Sequence, residues 1–87
     1  MQIITTEFIE NFNELSDAVA DVHIKHLLYG KQKIKRCILH PFVDGDRIGL
    51  RINNEEIYIK FEELVDVKLE NSKCIIKSEL MELYIYL

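Results

Sequence analysis

The sequence predicts an α+β domain: one short N-terminal helix against an antiparallel meander of about five or six strands, with a small curled barrel as the closed variant of that sheet. Three observations predict it. From residue 47 onward aliphatic residues recur at every second position in most of the runs. Short turns rich in Asn, Gly and Ser separate the runs, and helical spacing is confined to the N-terminal third. Period-2 alternation broken by short turns is the pattern of hairpin-connected strands with one dry and one wet face.

The expected helix spans about residues 6–15. Phe8, Phe12, Leu15, Val19 and Val22 are spaced three or four apart, Thr5 or Thr6 can cap the start, and Glu7 and Glu10 suit the positive end of the helix dipole. Residues 20–29 admit two readings. A continued helix would end at Gly30; a strand would alternate Val22, Ile24, His26 and Leu28 with His23, Lys25, Leu27 and Tyr29. Ser16-Asp17 as a breaker and the β-branched pair Val22 and Ile24 favour the strand, which opens a β-rich region over about 20–87.

The run Ile34–Val43 alternates poorly, so it is expected to be buried on both sides or bulged, with Pro41 near a sheet edge. Asp44-Gly45 marks a hairpin, expected as a type I′ turn, into Arg47–Ile52, where Ile48, Leu50 and Ile52 oppose Arg47 and Arg51. After Asn53-Asn54, Ile57, Ile59 and Phe61 alternate with Tyr58 and Lys60. Past Glu62-Glu63, Val65, Val67 and Leu69 share a face; Asn71-Ser72 turns the chain into Lys73–Ser78. In the last run Met81, Leu83, Ile85 and Leu87 lie opposite Glu82, Tyr84 and Tyr86, and Leu87 is expected to pack.

Composition narrows the class. Eighty-seven residues, 48% hydrophobic and 30% charged, make one domain over 1–87 rather than a disordered or multidomain chain. No apolar run reaches the ~18 residues of a membrane span, and Met1-Gln2-Ile3-Ile4 lacks a basic start and an apolar core, so a cytoplasmic chain without a membrane partner is expected. The Ile- and Lys-rich, Trp-free composition suits a bacterial or phage chain. Two distant cysteines, Cys37 and Cys74, fit small core residues in a reducing compartment better than a disulfide framework.

Charge is blocked along the chain: −5 over residues 1–21, +5 over 22–53 and −4 over 54–87. Two explanations apply: a partner surface, or an acidic N-terminal segment lying beside the basic middle, and the second is favoured.

Three constellations carry candidate chemistry. His23-x-x-His26 with Cys37-x-x-His40 has zinc-type donors, which makes a metal-stabilised domain one alternative. Residues three apart on a strand face opposite ways, however, so no metal or cofactor is expected. The basic run containing Lys31, Lys33, Lys35 and Arg36 could neutralise phosphates, with Tyr29 nearby to stack a base. Lysine-rich strands also protect sheet edges, and the pI of about 5.3 is far from that of a typical nucleic-acid binder.

The third is a set of tyrosines, Tyr58, Tyr84 and Tyr86, on the polar side of their strands. Tyrosine there suits a protein interface, because a flat apolar ring ends in a polar tip. Cross-strand packing on a wet face is the alternative explanation. No Gly-rich phosphate cradle, paired catalytic carboxylates or activated cysteine is evident, and no small-molecule substrate is implied. The expected function is a non-enzymatic protein-interaction module, homodimeric or bound to another protein through the tyrosine face, with nucleic-acid binding through segment 31–36 as the alternative.

Overall fold

A computed structural model of the chain describes residues 4–87, and within them the α+β expectation holds: one helix and eight antiparallel strands. Helix α1, Thr6–Asn13, starts where the Thr5 hydroxyl accepts the Phe8 N–H at 3.1 Å. It turns Phe8 and Phe12 into the core, their rings stacked 6.0 Å apart. The strands are β1 (Val19–His26), β2 (Gly30–Ile38), β3 (His40–Asp44), β4 (Arg47–Ile52), β5 (Glu55–Lys60), β6 (Leu64–Glu70), β7 (Lys73–Ser78) and β8 (Met81–Tyr86). A 3₁₀ turn, Phe61–Glu63, joins β5 to β6. Residues 20–26 are thus strand, and among the described residues no helix is long and apolar enough to cross a membrane.

The strand count exceeds the expected five or six, and the strands form two open sheets rather than a closed barrel. One has the order β2-β1-β8-β7-β6; the other is the meander β3-β4-β5. The division comes from the poorly alternating run Ile34–Val43, which is two strands in different sheets. Leu39, fully buried, is the crossing point. Its N–H donates to the Ala18 carbonyl at 2.8 Å and its own carbonyl accepts the Asp17 N–H at 2.9 Å. Both backbone groups are therefore satisfied where the ladder is interrupted. Pro41 follows in β3, an edge strand, where its missing N–H costs no ladder bond.

The expected bulge lies earlier, between β1 and β2: pairing runs Ala20↔Cys37 and then Val22↔Ile34, so Lys35 and Arg36 oppose Asp21 alone. Arg36 is left-handed there (φ 52°), and its N–H is held by the Asp21 carboxylate at 2.9 Å.

Turn chemistry accounts for most connections. Asn53-Asn54 and Asn71-Ser72 both have positive φ at both central residues, the type I′ pattern that matches strand twist. The β3–β4 turn differs from expectation. Asp44 pairs with Arg47, so its central residues are Gly45 (φ 61°) and Asp46, and only the first is left-handed, as in type II′.

The inner faces of both sheets share one core. Val22, Ile24, Cys74, Ile76, Leu83 and Ile85 come from the five-stranded sheet, Ile48, Leu50, Ile52 and Ile59 from the other, with Phe12 and Leu39 between. No polar or charged residue is buried among the described residues. Fully burying one such aliphatic side chain contributes roughly 1.5–3 kcal/mol. Two expected core positions lie outside it. Val65 is 54% exposed because a register shift between Leu64 and Asp66 turns it out and puts Leu64 in its place. Leu87, beyond the end of β8, is 43% exposed.

Gly49 in β4 is demanded by packing. A Cβ there would stand 2.0 Å from the Ile57 carbonyl oxygen and 2.7 Å from the Tyr58 Cα. Gly49→Ala is expected to lose on the order of 3 kcal/mol, since backbone of the neighbouring strand must move. Urea unfolding of the two proteins measures it, and an unchanged midpoint would contradict this packing.

Candidate functional site

The outer face of the five-stranded sheet can be built from register alone. Directly paired residues point to the same side of a sheet. Lys33, His23, Tyr84, Ile75 and Lys68 therefore form one transverse row, and Lys31, Lys25, Glu82, Lys77 and Asp66 the next. A third row runs Asp21, Tyr86, Lys73, Glu70. Each row alternates with a buried one, such as Val22–Ile85–Cys74, which fixes these side chains on the side away from the core.

Tyr84 and Tyr86 stand at the middle of this face, two residues apart on β8, with rings nearly parallel and centroids 6.5 Å apart. His23 leans on Tyr86 at 4.8 Å. Lys73 Nζ lies 5.3 Å from the Tyr86 centroid and 5.9 Å from that of Tyr84, and Lys77 Nζ 5.8 Å from Tyr84, within range of cation–π attraction. Tyr86 is 36% exposed and Tyr84 half-buried. Toward β2 the face dips into a hollow of about 220 Å³ lined by His23, Lys25, Lys31, Lys33, Tyr84 and Tyr86.

Two candidate sets that were separate in the sequence thus meet. Lys31 and Lys33 flank the tyrosine pair, whereas Lys35 and Arg36 sit at the bulge. The acidic helix does not cover them: α1 packs on β3 and β6, and among the described residues no ion pair joins its carboxylates to the basic segment. The acidic N-terminal block does lie beside part of the basic middle, α1 on β3 and the Asp21 carboxylate on the Arg36 backbone N–H, but among the described residues no ion pair joins the two blocks.

Tyr58 does not join the other two tyrosines. It lies on the outer face of the three-stranded sheet, in the row Phe42–Gly49–Tyr58. That face is filled by its own residues. The Arg47 guanidinium sits 4.8 Å from the Tyr58 centroid and 5.4 Å from that of Phe42, and Arg51 lies 5.0 Å from Phe42. Arg47 also pairs with Asp44 at 3.2 Å and Glu56 at 3.4 Å, and Arg51 with Glu56 at 3.0 Å. The Arg51 hydrogen bond, with Arg47 nearby, holds the Glu56 carboxyl below its ordinary range. Phe42 is only 8% exposed although it lies outside the core cluster. It is the register partner of the bare Gly49, and sequence alternation alone cannot reveal such an outer-face burial.

The zinc-type donors are dispersed. His23 faces the tyrosines, His26 packs against Tyr29 at 4.5 Å, and His40 begins β3 in the other sheet. The Cys37 thiol donates to the Ala20 carbonyl at 3.4 Å. Among the described residues no group of three or more His, Cys, Asp or Glu is placed to hold a metal. Both cysteines are free. Burial raises the thiol pKa of Cys37, and pushes that of Cys74 up to about 12, so both stay protonated at neutral pH.

Comparison with family models, curated proteins and solved structures finds no match to this chain.

The Tyr84 hydroxyl donates to the Glu82 carboxylate, and this hydrogen bond raises the phenol to about 12 while lowering Glu82. A proton held more tightly in the folded state than in the unfolded one stabilises the fold below the unfolded pKa near 10. That contribution is then lost as pH rises toward 12. Ultraviolet titration of the chain against Tyr84→Phe should reveal one phenol titrating near 12, moving down toward 10 in Glu82→Gln. A missing phenol at ordinary pKa would contradict the bond.

Proposed function

We propose that this chain is a non-enzymatic, cytoplasmic protein-interaction module that docks through the outer face of its five-stranded sheet, with a second copy of itself as the partner. The observation that carries this is the Tyr84–Tyr86 stack at the centre of an uncovered sheet face, rimmed by charges of both signs. Aromatic centre and polar rim is the anatomy of a protein interface. A twofold interface pairs a patch with itself, so it needs cations and acids on the same face. Lys25, Lys73 and Lys77 alternate with Asp21, Glu70 and Glu82 there in the required way. The free thiols, raised in pKa by burial, support a role other than thiol catalysis.

One observation favours a second reading. Lys25, Lys31 and Lys33 line the same hollow as the two tyrosines, the combination of cations and stacking rings that binds a single nucleic-acid strand. Against it stand the four carboxylates on the face and the net charge of −4.

Tyr84→Ser with Tyr86→Ser tests the proposal, because neither side chain contributes to the core. Light scattering after gel filtration should give a dimer for the parent chain and a folded monomer for the double variant. A parent chain that is monomeric, or a variant that still dimerises, refutes self-association through this face. Filter binding of single-stranded oligonucleotides at two salt concentrations separates the second reading. Phosphate contacts would give log K a slope of about −0.7 per contact against log salt, and an absent slope removes that reading.

A further inference from the structure

The most exposed large apolar residues of the described chain are consecutive: Leu27, Leu28 and Tyr29 are 72%, 73% and 84% accessible. They form the tip of the β1–β2 hairpin, and Leu80 from the β7–β8 turn joins them, its carbonyl accepting the Leu27 N–H at 2.8 Å. Turn geometry does not ask for them. The three-residue loop closing His26↔Gly30 needs a left-handed residue after it, which Gly30 supplies at φ 84°. Polar residues would serve the loop itself as well or better.

The tip is nevertheless ordered. His26 Nδ1 accepts the Leu28 N–H at 3.1 Å, and the Tyr29 ring lies 4.5 Å from the His26 ring. Behind it is a cationic collar. Lys25 pairs directly with Lys31, and Lys33 with His23 one row further back. Residues 22–43 carry Lys25, Lys31, Lys33, Lys35 and Arg36 and no acid. Three carboxylates border the tip: Glu79 and Glu82 line the hollow beside Leu27, Glu82 accepting the Tyr84 hydroxyl, and Glu56, held by Arg47 and Arg51, lines the hollow beside Tyr29 on the other side. Among the described residues none of Lys25, Lys31 and Lys33 belongs to an ion pair.

We propose that this hairpin tip seats the protein on an anionic lipid surface. A convex apolar point with cations behind it on the outer face of the sheet matches a bilayer's layering: aliphatic groups enter the acyl boundary, a tyrosine sits at headgroup depth, and lysines reach the phosphates. Lys25 and Lys31 each stand three residues from Leu28, at most roughly 10 Å at ~3.3 Å per residue, and interfacial elements bury roughly 5–10 Å. The absence of a spanning run does not bear on such peripheral seating. With so few apolar side chains it is reversible and needs anionic headgroups as a second signal.

Sedimentation of the full chain with vesicles tests it. The protein should pellet with vesicles of phosphatidylcholine containing a quarter phosphatidylglycerol and remain in solution with phosphatidylcholine alone. Each of Lys25→Gln, Lys31→Gln and Lys33→Gln should weaken binding about fivefold. Leu27→Ser with Leu28→Ser should weaken it tenfold or more with an unchanged circular dichroism spectrum, the positions being solvent-exposed. Tyr84→Ser with Tyr86→Ser should leave it intact, which separates the tip from the sheet-face interface. No pelleting with anionic vesicles, equal pelleting with both kinds, or binding indifferent to the two leucines overturns the proposal; the last would leave the collar as a site for an acidic protein.

Discussion

A sheet in water is stable only if one of its faces is hidden, and a chain of 87 residues has little material with which to hide two. The solution here is mutual: the aliphatic side of a five-stranded sheet and that of a three-stranded sheet contribute to the same core, with α1 adding Phe8 and Phe12. Everything else depends on the chain getting from one sheet to the other without leaving buried backbone unpaired. Leu39 does this. It is the single residue between β2 and β3, its side chain is fully buried, and both of its backbone groups bond to the Asp17–Ala18 segment that leads from the helix into β1. The crossing thereby ties the helix, the first hairpin and the second sheet together.

Because the core uses both inner faces, chemistry is confined to the outer ones, and these differ in kind. The smaller sheet closes its own: Phe42 lies beside the bare Gly49, and Arg47 and Arg51 cover Phe42 and pair with Asp44 and Glu56. Little unsatisfied chemistry is left there for a partner. The larger sheet keeps an open face whose centre is aromatic. Its outward tyrosines lie outside the buried cluster, so the core itself does not call for them. Residues that are both conspicuous and dispensable to folding are where a function must be sought.

Most of this was legible in the sequence because strand alternation and turn chemistry are local signals. Asn53-Asn54 and Asn71-Ser72 announced tight hairpins, and the spacing of Phe8 and Phe12 announced the helix. The division into two sheets was not legible. A single residue, Leu39, converts one apparent strand into two, and the only local sign of it is the poor alternation of Ile34–Val43. Register shifts escaped for the same reason: one extra residue turned Val65 outward, and periodicity has no means of locating it. At the site, the outward placement of Tyr84 and Tyr86 followed from alternation, but their meeting with Lys31 and Lys33 depends on β1 lying between β2 and β8. That is a long-range pairing. Tyr58 shares their alternation, and only the division into two sheets separates it from them.

The distribution of lysine decides which route to association remains. β2 and β6 are the exposed edges of the larger sheet, and an exposed edge is ordinarily the easiest place for a second chain to pair. Two antiparallel copies of β2 would bring a strand bearing Lys31, Lys33, Lys35 and Arg36 against its own image, with like charges opposed along the new ladder. At β6 the shift near Leu64 breaks the register a partner strand would need, and the alternate positions Asp66, Lys68 and Glu70 are charged and exposed. Growth of the larger sheet along its hydrogen-bonding direction is therefore disfavoured at both ends. What stays open is the direction perpendicular to the sheet, where cations and acids are interleaved rather than segregated and two tyrosine rings lie nearly parallel, and a contact there needs no change in the fold beneath it.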